Sequence, residues 1–219
     1  MVELATRMLV RDGHKVGSVT GRVVHLAMVP DGGEPTVGVV VGTVCGTLLA
    51  LEQLEIVAPG VGMPCTRCLL HQDGTPPPAS PAAASYQKWG WPVTVSGAQV
   101  LLTLGADAAA LVLPRSLAEA VTPILAARDR AAPVLTHPGA PDHRVLLAGE
   151  PYGVPLPWPA GVAPVTGVVP LPPSATPLGP IHWYEPPHDP ELRACREIDI
   201  FGAVRTTLRA AAHAQGSRS

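Results

Sequence analysis

Apolar, β-branched residues in the first quarter of the chain occur in short runs that glycines interrupt. These runs are VGSVTGRVVHLAMV, TVGVVVGTV and LEIV, and the PDGGE between the first two is typical of a hairpin turn. Three to five short strands in about fifty residues predict a small SH3-like barrel or curled sheet over residues 1–59. A plain β-meander packed on the rest of the chain is the alternative.

Residues 60–85 show no hydrophobic periodicity. The segment contains two cysteines and then DGTPPPASPAAAS, which is rich in Pro, Ala and Ser. Such a composition cannot bury enough apolar surface to order itself. The sequence therefore predicts an extended linker here, and with it a domain boundary.

From Tyr86 onwards, segments with strand patterns alternate with segments of helical periodicity. WPVTVSGAQVLLTLG predicts two strands around a turn, and ADAAALVLP, APVLTHP, DHRVLLAG, VAPVTGVVPLPP and IHWYEPP predict further strands. We therefore expect an α/β domain over residues 86–211, followed by a tail at 212–219. The chain as a whole is predicted to be α+β.

Two segments of this second domain have helical periodicity. SLAEAVTPILAARDR begins with Ser116 and Glu119 at the spacing of a capping box. Pro123 lies inside this segment and predicts either a kink or a second helix capped by Thr122. PELRACREIDIFGAVRTTLRAAAHA carries a continuous apolar stripe and predicts a long amphipathic helix.

Composition and charge exclude several classes of protein. Hydrophobic residues make up 47% of the 219 residues and charged residues 15%, so a packed core is expected despite 27 prolines. A formal net charge of −2 supplies no large positive field for non-specific nucleic-acid binding. No apolar signal region and no run of eighteen apolar residues is present, so we predict a cytoplasmic protein without a membrane span.

The candidate metal chemistry lies in CTRCLLH. Cys65, Cys68 and His71 have C-x2-C-x2-H spacing, and a turn can bring two thiolates onto one zinc ion. A structural zinc needs a fourth ligand, and Cys45 and Cys195 are expected to be too distant to supply it. The sequence therefore predicts no cofactor, with a zinc ion on these three residues as the alternative.

Two histidines stand at positions where a ligand could reach them. His143 follows the PGAP turn at the start of a predicted strand, next to Arg144, and His182 lies on the last predicted strand. Because side chains alternate along a strand, Trp183 should face away from His182 and pack on the core. No P-loop, dinucleotide-binding, nucleophile-elbow or zinc-protease motif occurs in the sequence.

The order of elements from Ala108 to Pro187 resembles the N-terminal domain of bifunctional DNA primase/polymerases, the prim-pol branch of the archaeo-eukaryotic primase superfamily. In this likeness AAALVLP corresponds to the strand that ends in a metal-binding acidic pair, and PDHRVLLAG to the strand with a phosphate-contacting histidine. VTGVVPLPPSATP corresponds to the strand with a third acid and a PPS turn, and GPIHWYEPP to the final aromatic strand. The chain is also similar to small prim-pol-like proteins of filamentous actinobacteria.

The resemblance implies a fold with a degenerate catalytic site. Leu111, Val112 and Leu113 occupy the positions of the acidic pair, and Thr166 and Gly167 that of the third acid. It implies ligand binding through His143, and we add Arg144 and His182 as further ligand-binding candidates, with no catalytic residue.

The sequence therefore predicts a non-catalytic binding or regulatory protein that binds a nucleotide, a nucleic acid or an unknown protein partner. An interaction adaptor with no nucleotide site and an active primase/polymerase are the alternatives.

Overall fold

The computed structural model describes residues 5–12, 23–30, 40–43, 45, 47–50, 54–58, 63–65, 68, 81–176, 178–187 and 192–216. The strands in the first third are β1 (Ala5–Asp12), β2 (Val23–Pro30), β3 (Val40–Gly42), β4 (Leu48–Ala50), β5 (Leu54–Ile56) and β6 (Met63–Pro64). The later strands are β7 (Val93–Ser96), β8 (Gln99–Thr103), β9 (Ala108–Pro114), β10 (Val134–Thr136), β11 (His143–Gly149), β12 (Ala163–Thr166), β13 (Val168–Leu171), β14 (Ala175–Thr176), β15 (Gly179–Pro180) and β16 (His182–Glu185). The helices are α1 (Pro81–Lys88), α2 (Arg115–Ala126) and α3 (Glu197–Gly216).

The described strands form four sheets. Their orders are β5-β1-β2-β6, β16-β10-β11-β9-β12-β3-β4, β13-β8-β7 and β14-β15. The predicted α+β class is confirmed. No sheet within the described part of the chain closes into a barrel, so the SH3-like barrel stays a prediction.

The seven-stranded sheet is buried on both faces, as the alternation of side chains along β9 shows. Ala110 and Val112 join a core formed with β7, β8, β13 and α1. Leu111 and Leu113 point the other way, into a core formed with α2 and α3. A strand buried on both faces has a continuous apolar sequence, and AAALVLP is such a run.

The seven-stranded sheet crosses the predicted domain boundary. Strand β3, from the predicted N-terminal module, pairs in parallel with β12, and Val165 lies opposite Val40. Strand β4 continues the sheet as the antiparallel neighbour of β3. Two strands of the first predicted domain thus complete the sheet of the second.

Helix α1 corrects the predicted linker. The helix begins at Pro81, inside residues 60–85, and buries Ala83 and Tyr86 in the core. Proline is favoured in the first turn of a helix and alanine has the highest helix propensity, so PAAAS starts a helix once Tyr86 can anchor it. The linker prediction is wrong for residues 81–85, and residues 71–80 lie outside the described residues.

Helix α2 forms where it was predicted, but it begins without the predicted capping box. Its N-cap is Pro114, the last residue of β9, which has no side-chain capping bond. Glu119 instead accepts a hydrogen bond of 2.8 Å from Nε of Arg115. Pro123 is contained in one continuous helix, so the second helix is also excluded.

The PPS turn, at Pro172–Ser174, is hydrogen-bonded to β8 of the three-stranded sheet. Ser174 is fully buried, and its Oγ accepts a hydrogen bond from the Val100 amide at 2.8 Å and donates one to the Val100 carbonyl at 3.1 Å. The Tyr86 hydroxyl donates to the carbonyl of Pro172 at 2.8 Å. The turn at Pro172–Ser174 is therefore bonded to the folded core.

Trp183 packs where the alternation along its strand predicts. It is half-buried between exposed neighbours, and its ring meets those of Tyr86 and Trp91 edge-on, with centroids 6.4 and 6.2 Å apart. Trp183 of β16 thus packs against Tyr86, whose hydroxyl is bonded to the PPS turn.

Helix α3 starts later and ends later than predicted. A 3-10 turn at Leu192–Ala194 precedes it, and Arg196 donates its backbone amide to Oδ2 of Asp199 at 3.1 Å. The helix runs to Gly216, five residues beyond the predicted domain end at residue 211. No helix among the described residues is long and apolar enough to cross a membrane.

Candidate metal centre

Four potential metal ligands converge in the N-terminal part of the chain. Nδ1 or Nε2 of His25 and the Sγ atoms of Cys45, Cys65 and Cys68 all lie within 4.8 Å of one another. We call this set the His–Cys cluster. The three cysteines are buried and His25 is half-buried.

The pairing of β2 with β6 brings the first two ligands together. His25 lies in the middle of β2, and Cys65 directly follows β6, which runs parallel to β2. The Cys65 amide donates a hydrogen bond of 2.8 Å to the carbonyl of Val24. Cys68 then follows at the C-x2-C spacing that allows two thiolates to bind one ion.

Cys45 enters the cluster from the tight turn between β3 and β4. The Thr43 amide donates to the Thr47 carbonyl at 2.9 Å, and the Thr47 amide donates to Oγ1 of Thr43 at 3.0 Å. Both threonine hydroxyls approach Sγ of Cys45, Thr43 at 3.2 Å and Thr47 at 3.3 Å. The turn therefore fixes the sulfur and surrounds it with hydroxyl groups.

The distances suit one tetrahedral ion. Nδ1 of His25 lies 3.2 Å from Sγ of Cys45 and 4.0 Å from Sγ of Cys68. Zinc bonds of about 2.3 Å to sulfur and 2.0–2.1 Å to nitrogen give a tetrahedron with edges of about 3.5–3.8 Å. The observed separations bracket these edges, so the cluster can bind a metal ion such as zinc.

The electrostatics of the cluster favour the thiolate that a metal requires. Hydrogen bonding from Cys65 and Cys68 lowers the pKa of the Cys45 thiol well below its ordinary value. Burial acts to lower the pKa of His25, but the hydrogen bonds to Cys45 and Cys65 outweigh it and raise this pKa to about 9. The two shifts favour the thiolate form of Cys45 and the protonated form of His25.

The structure brings Cys65 and Cys68 together with partners that the sequence pattern did not indicate. The expectation that Cys45 is too distant is wrong, because the β3–β4 turn folds back onto β2. His25 supplies the histidine of the cluster, and His71 lies outside the described residues. Cys195 is buried between the 3-10 turn at Leu192–Ala194 and α3, and desolvation raises its pKa to about 12.

One side chain connects the cluster to the C-terminal half. The buried Gln99 donates through Nε2 to the carbonyl of Cys45 at 3.0 Å and to that of Ala175 at 2.8 Å. Its Oε1 atom is buried and has no partner within the described part of the chain. The β3–β4 turn is thus fixed to the strand that follows the PPS turn.

The predicted ligand-binding residues do not form one cluster. Arg144 is buried, with Nη1 donating to the carbonyls of Pro141 and His143. Its guanidinium carbon lies 4.9 Å from the centroid of the Tyr184 ring. His143 is half-buried at the start of β11, and His182 is exposed on β16.

Comparison with protein-family models, curated proteins and solved structures gives no match for this chain. The arguments about function therefore rest on the residues of the chain itself.

Proposed function

We propose that this chain is a zinc-stabilised, non-catalytic binding or regulatory protein. The observation that carries the proposal is the convergence of four protein donors in the His–Cys cluster. Zinc sites with four protein ligands are structural, whereas catalytic zinc keeps one position open for water or substrate. Three cysteines and one histidine form one of the common structural ligand sets.

The ion would hold together segments that otherwise have few contacts. Strand β6 has two residues and β3 and β4 have three each. Strands this short add little stability alone, and metal binding that occurs only in the folded state contributes directly to folding. A bound ion would therefore stabilise the folded arrangement of the N-terminal strands.

The resemblance to prim-pol domains stays part of the proposal as a likeness of fold. We propose no polymerase chemistry for this chain. Polymerase chemistry needs carboxylates that converge on metal ions. The corresponding residues Leu111, Val112 and Leu113 are buried apolar side chains of β9. Within the described residues, the His–Cys cluster is the one group of three or more His, Cys, Asp or Glu donors close enough to share an ion.

Metal content and ligand substitutions test the proposal. The protein purified without chelators should hold one zinc per chain. Cobalt in its place should give thiolate charge-transfer bands and the strong visible bands of tetrahedral cobalt. His25→Ala and Cys45→Ser should lose the metal, whereas His71→Ala and the control Cys195→Ser should keep it.

A metal-free protein whose unfolding is unchanged by added zinc would contradict the zinc proposal. Metal lost from His71→Ala and retained in His25→Ala would contradict the assignment of His25 and make His71 the histidine ligand.

Anion binding at Arg144 is the second candidate function. The Nε atom of Arg144 is buried and has no hydrogen-bond partner within the described residues. A buried cation is costly unless an opposite charge compensates it. The phosphates of a nucleotide or single-stranded nucleic acid bound at the start of β11 would supply that charge.

Thermal unfolding with and without ligand tests this candidate. A nucleoside triphosphate or a single-stranded oligonucleotide that binds the native state must raise the Tm. His143→Ala should then weaken binding by about 1.5–3 kcal/mol, the contribution of a hydrogen bond to a charged group. Absence of any shift with either ligand favours the adaptor that has no nucleotide site.

A further inference from the structure

An apolar groove lies between the loop after β11 and helix α3. Its lining residues are Pro157, Pro159, Phe201, Arg205, Leu208 and Arg209, and its volume is about 400 Å³. The residues that line the groove lie between Pro157 and Arg209, whereas the His–Cys cluster lies between His25 and Cys68. None of the four residues of the cluster lines the groove. An inference about it is therefore independent of the zinc proposal.

The floor of the groove is preformed. The Phe201 ring meets Trp158 edge-on, with centroids 5.2 Å apart and an interplanar angle of 86°. Leu208, two turns further along α3, is 40% exposed. Prolines fix the backbone of the opposite wall, so little conformational entropy is lost when a ligand enters.

The groove is positively charged at one end. Arg205 and Arg209 are one helical turn apart, and the guanidinium carbon of Arg205 lies 5.6 Å from the centroid of the Phe201 ring. Neither arginine forms an ion pair within the described part of the chain. Like charges at this spacing destabilise a helix, a cost that an acidic ligand would reduce.

An acidic residue of α3 lies outside the groove lining and is already engaged. Glu197 lies one turn before Phe201, and its Oε2 accepts the amide hydrogen of Tyr152 at 2.8 Å. A ligand carboxylate is attracted to the arginine end of the groove. The lining therefore combines an apolar pocket with two cationic side chains.

We infer that this groove binds a short acidic peptide segment of a partner protein, with an apolar side chain on Phe201 and carboxylates on Arg205 and Arg209. Charge complementarity selects this occupant. A second copy bound symmetrically through the same surface would bring the arginine pairs together. Nucleic acid suits neither the apolar walls nor the net charge of −2.

A displayed library of random twelve-residue peptides, selected on the purified 219-residue chain, tests the inference. Enriched peptides should combine an apolar residue with Asp or Glu. Their affinity should fall about tenfold or more for Arg205→Gln and for Arg209→Gln, the loss expected for a charge-assisted hydrogen bond. The affinity should also fall with salt, and the exposed control Arg128→Gln should bind as the wild type does.

Several outcomes would overturn the inference. One is a selection that enriches no peptide, and another is enriched peptides that are basic or bind Arg205→Gln and Arg209→Gln normally. Concentration-dependent dimerisation abolished by Arg205→Gln would assign the groove to a second copy. Binding of a single-stranded oligonucleotide that needs these arginines would assign it to nucleic acid.

Discussion

Replacing Thr43 with valine should weaken metal binding, because it removes the hydroxyl group that contacts Sγ of Cys45 and accepts the Thr47 amide hydrogen. The side chain of Thr43 is completely buried, and its hydroxyl lies 3.2 Å from Sγ of Cys45. Because Oγ1 accepts the amide hydrogen of Thr47 at 3.0 Å, its own hydrogen is free to be donated to the sulfur. Valine has nearly the same volume and keeps the methyl group, so the hydroxyl is the main change.

The magnitude follows from the charge on the sulfur. A cysteine binds metal as a thiolate, and a hydrogen bond to a charged group contributes about 1.5–3 kcal/mol. This corresponds to a loss of about 10–150-fold in zinc affinity, since each 1.4 kcal/mol is tenfold. Mutation of residues that contact metal ligands costs about 10–100-fold in other sites, a similar range.

Competition for zinc with a chromophoric chelator of known affinity, at fixed pH, measures this loss. Circular dichroism of the zinc-loaded variant should match that of the wild type. The control Thr43→Ser retains the hydroxyl and should bind zinc within about threefold of the wild type. Equal affinity of Thr43→Val and wild type, or an equal loss in Thr43→Ser, would refute the role of the hydroxyl.

Two further predictions concern stability. Ser174→Ala leaves the buried amide and carbonyl of Val100 without their partner and should lower the free energy of unfolding in urea by about 2–5 kcal/mol. The control Ser85→Ala, at an exposed serine, should change it little, and equal effects of the two substitutions would contradict this prediction. A hydrogen bond from Arg196 lowers the pKa of Asp199, so this pair stabilises the fold above the ordinary carboxyl pKa of about 4 and the stabilisation is lost as pH falls through the lowered value. Asp199→Asn should therefore cost up to about 1 kcal/mol at pH 7 and nothing at low pH, and a cost that is the same at both would contradict the assignment.

Elements with strong local patterns were predictable from the sequence. Strand β9 has a long apolar run, β7 and β8 flank a short turn, and α2 has clear helical periodicity, so each formed at its predicted place. The details that depend on neighbours were not predictable. Helix α2 lacks its capping box because β9 leads into it directly, and α1 forms inside a linker-like sequence because the core accepts Tyr86.

Half of the candidate metal centre was visible in the sequence. Cys65 and Cys68 have a local spacing with a known chemical meaning. Cys45 and His25 are separated by 20 residues, and His25 and Cys68 by 43, so only the pairing of strands brings them together. A histidine and a cysteine within otherwise apolar strand segments were the available signal, and such residues are equally common in ordinary cores.

The parallel pairing of β3 with β12 has a consequence for biosynthesis. Oγ1 of Thr166 donates to the carbonyl of Val40, a partner 126 residues earlier in the chain. At about 5–20 residues per second, a ribosome needs about 6–25 s to synthesise the intervening segment, and β3 lacks its partner during this time. All four residues of the His–Cys cluster, from His25 to Cys68, are synthesised before that interval ends. We therefore expect zinc to hold the β3–β4 turn in the nascent chain, which limits the time that an unpaired strand edge is open to aggregation.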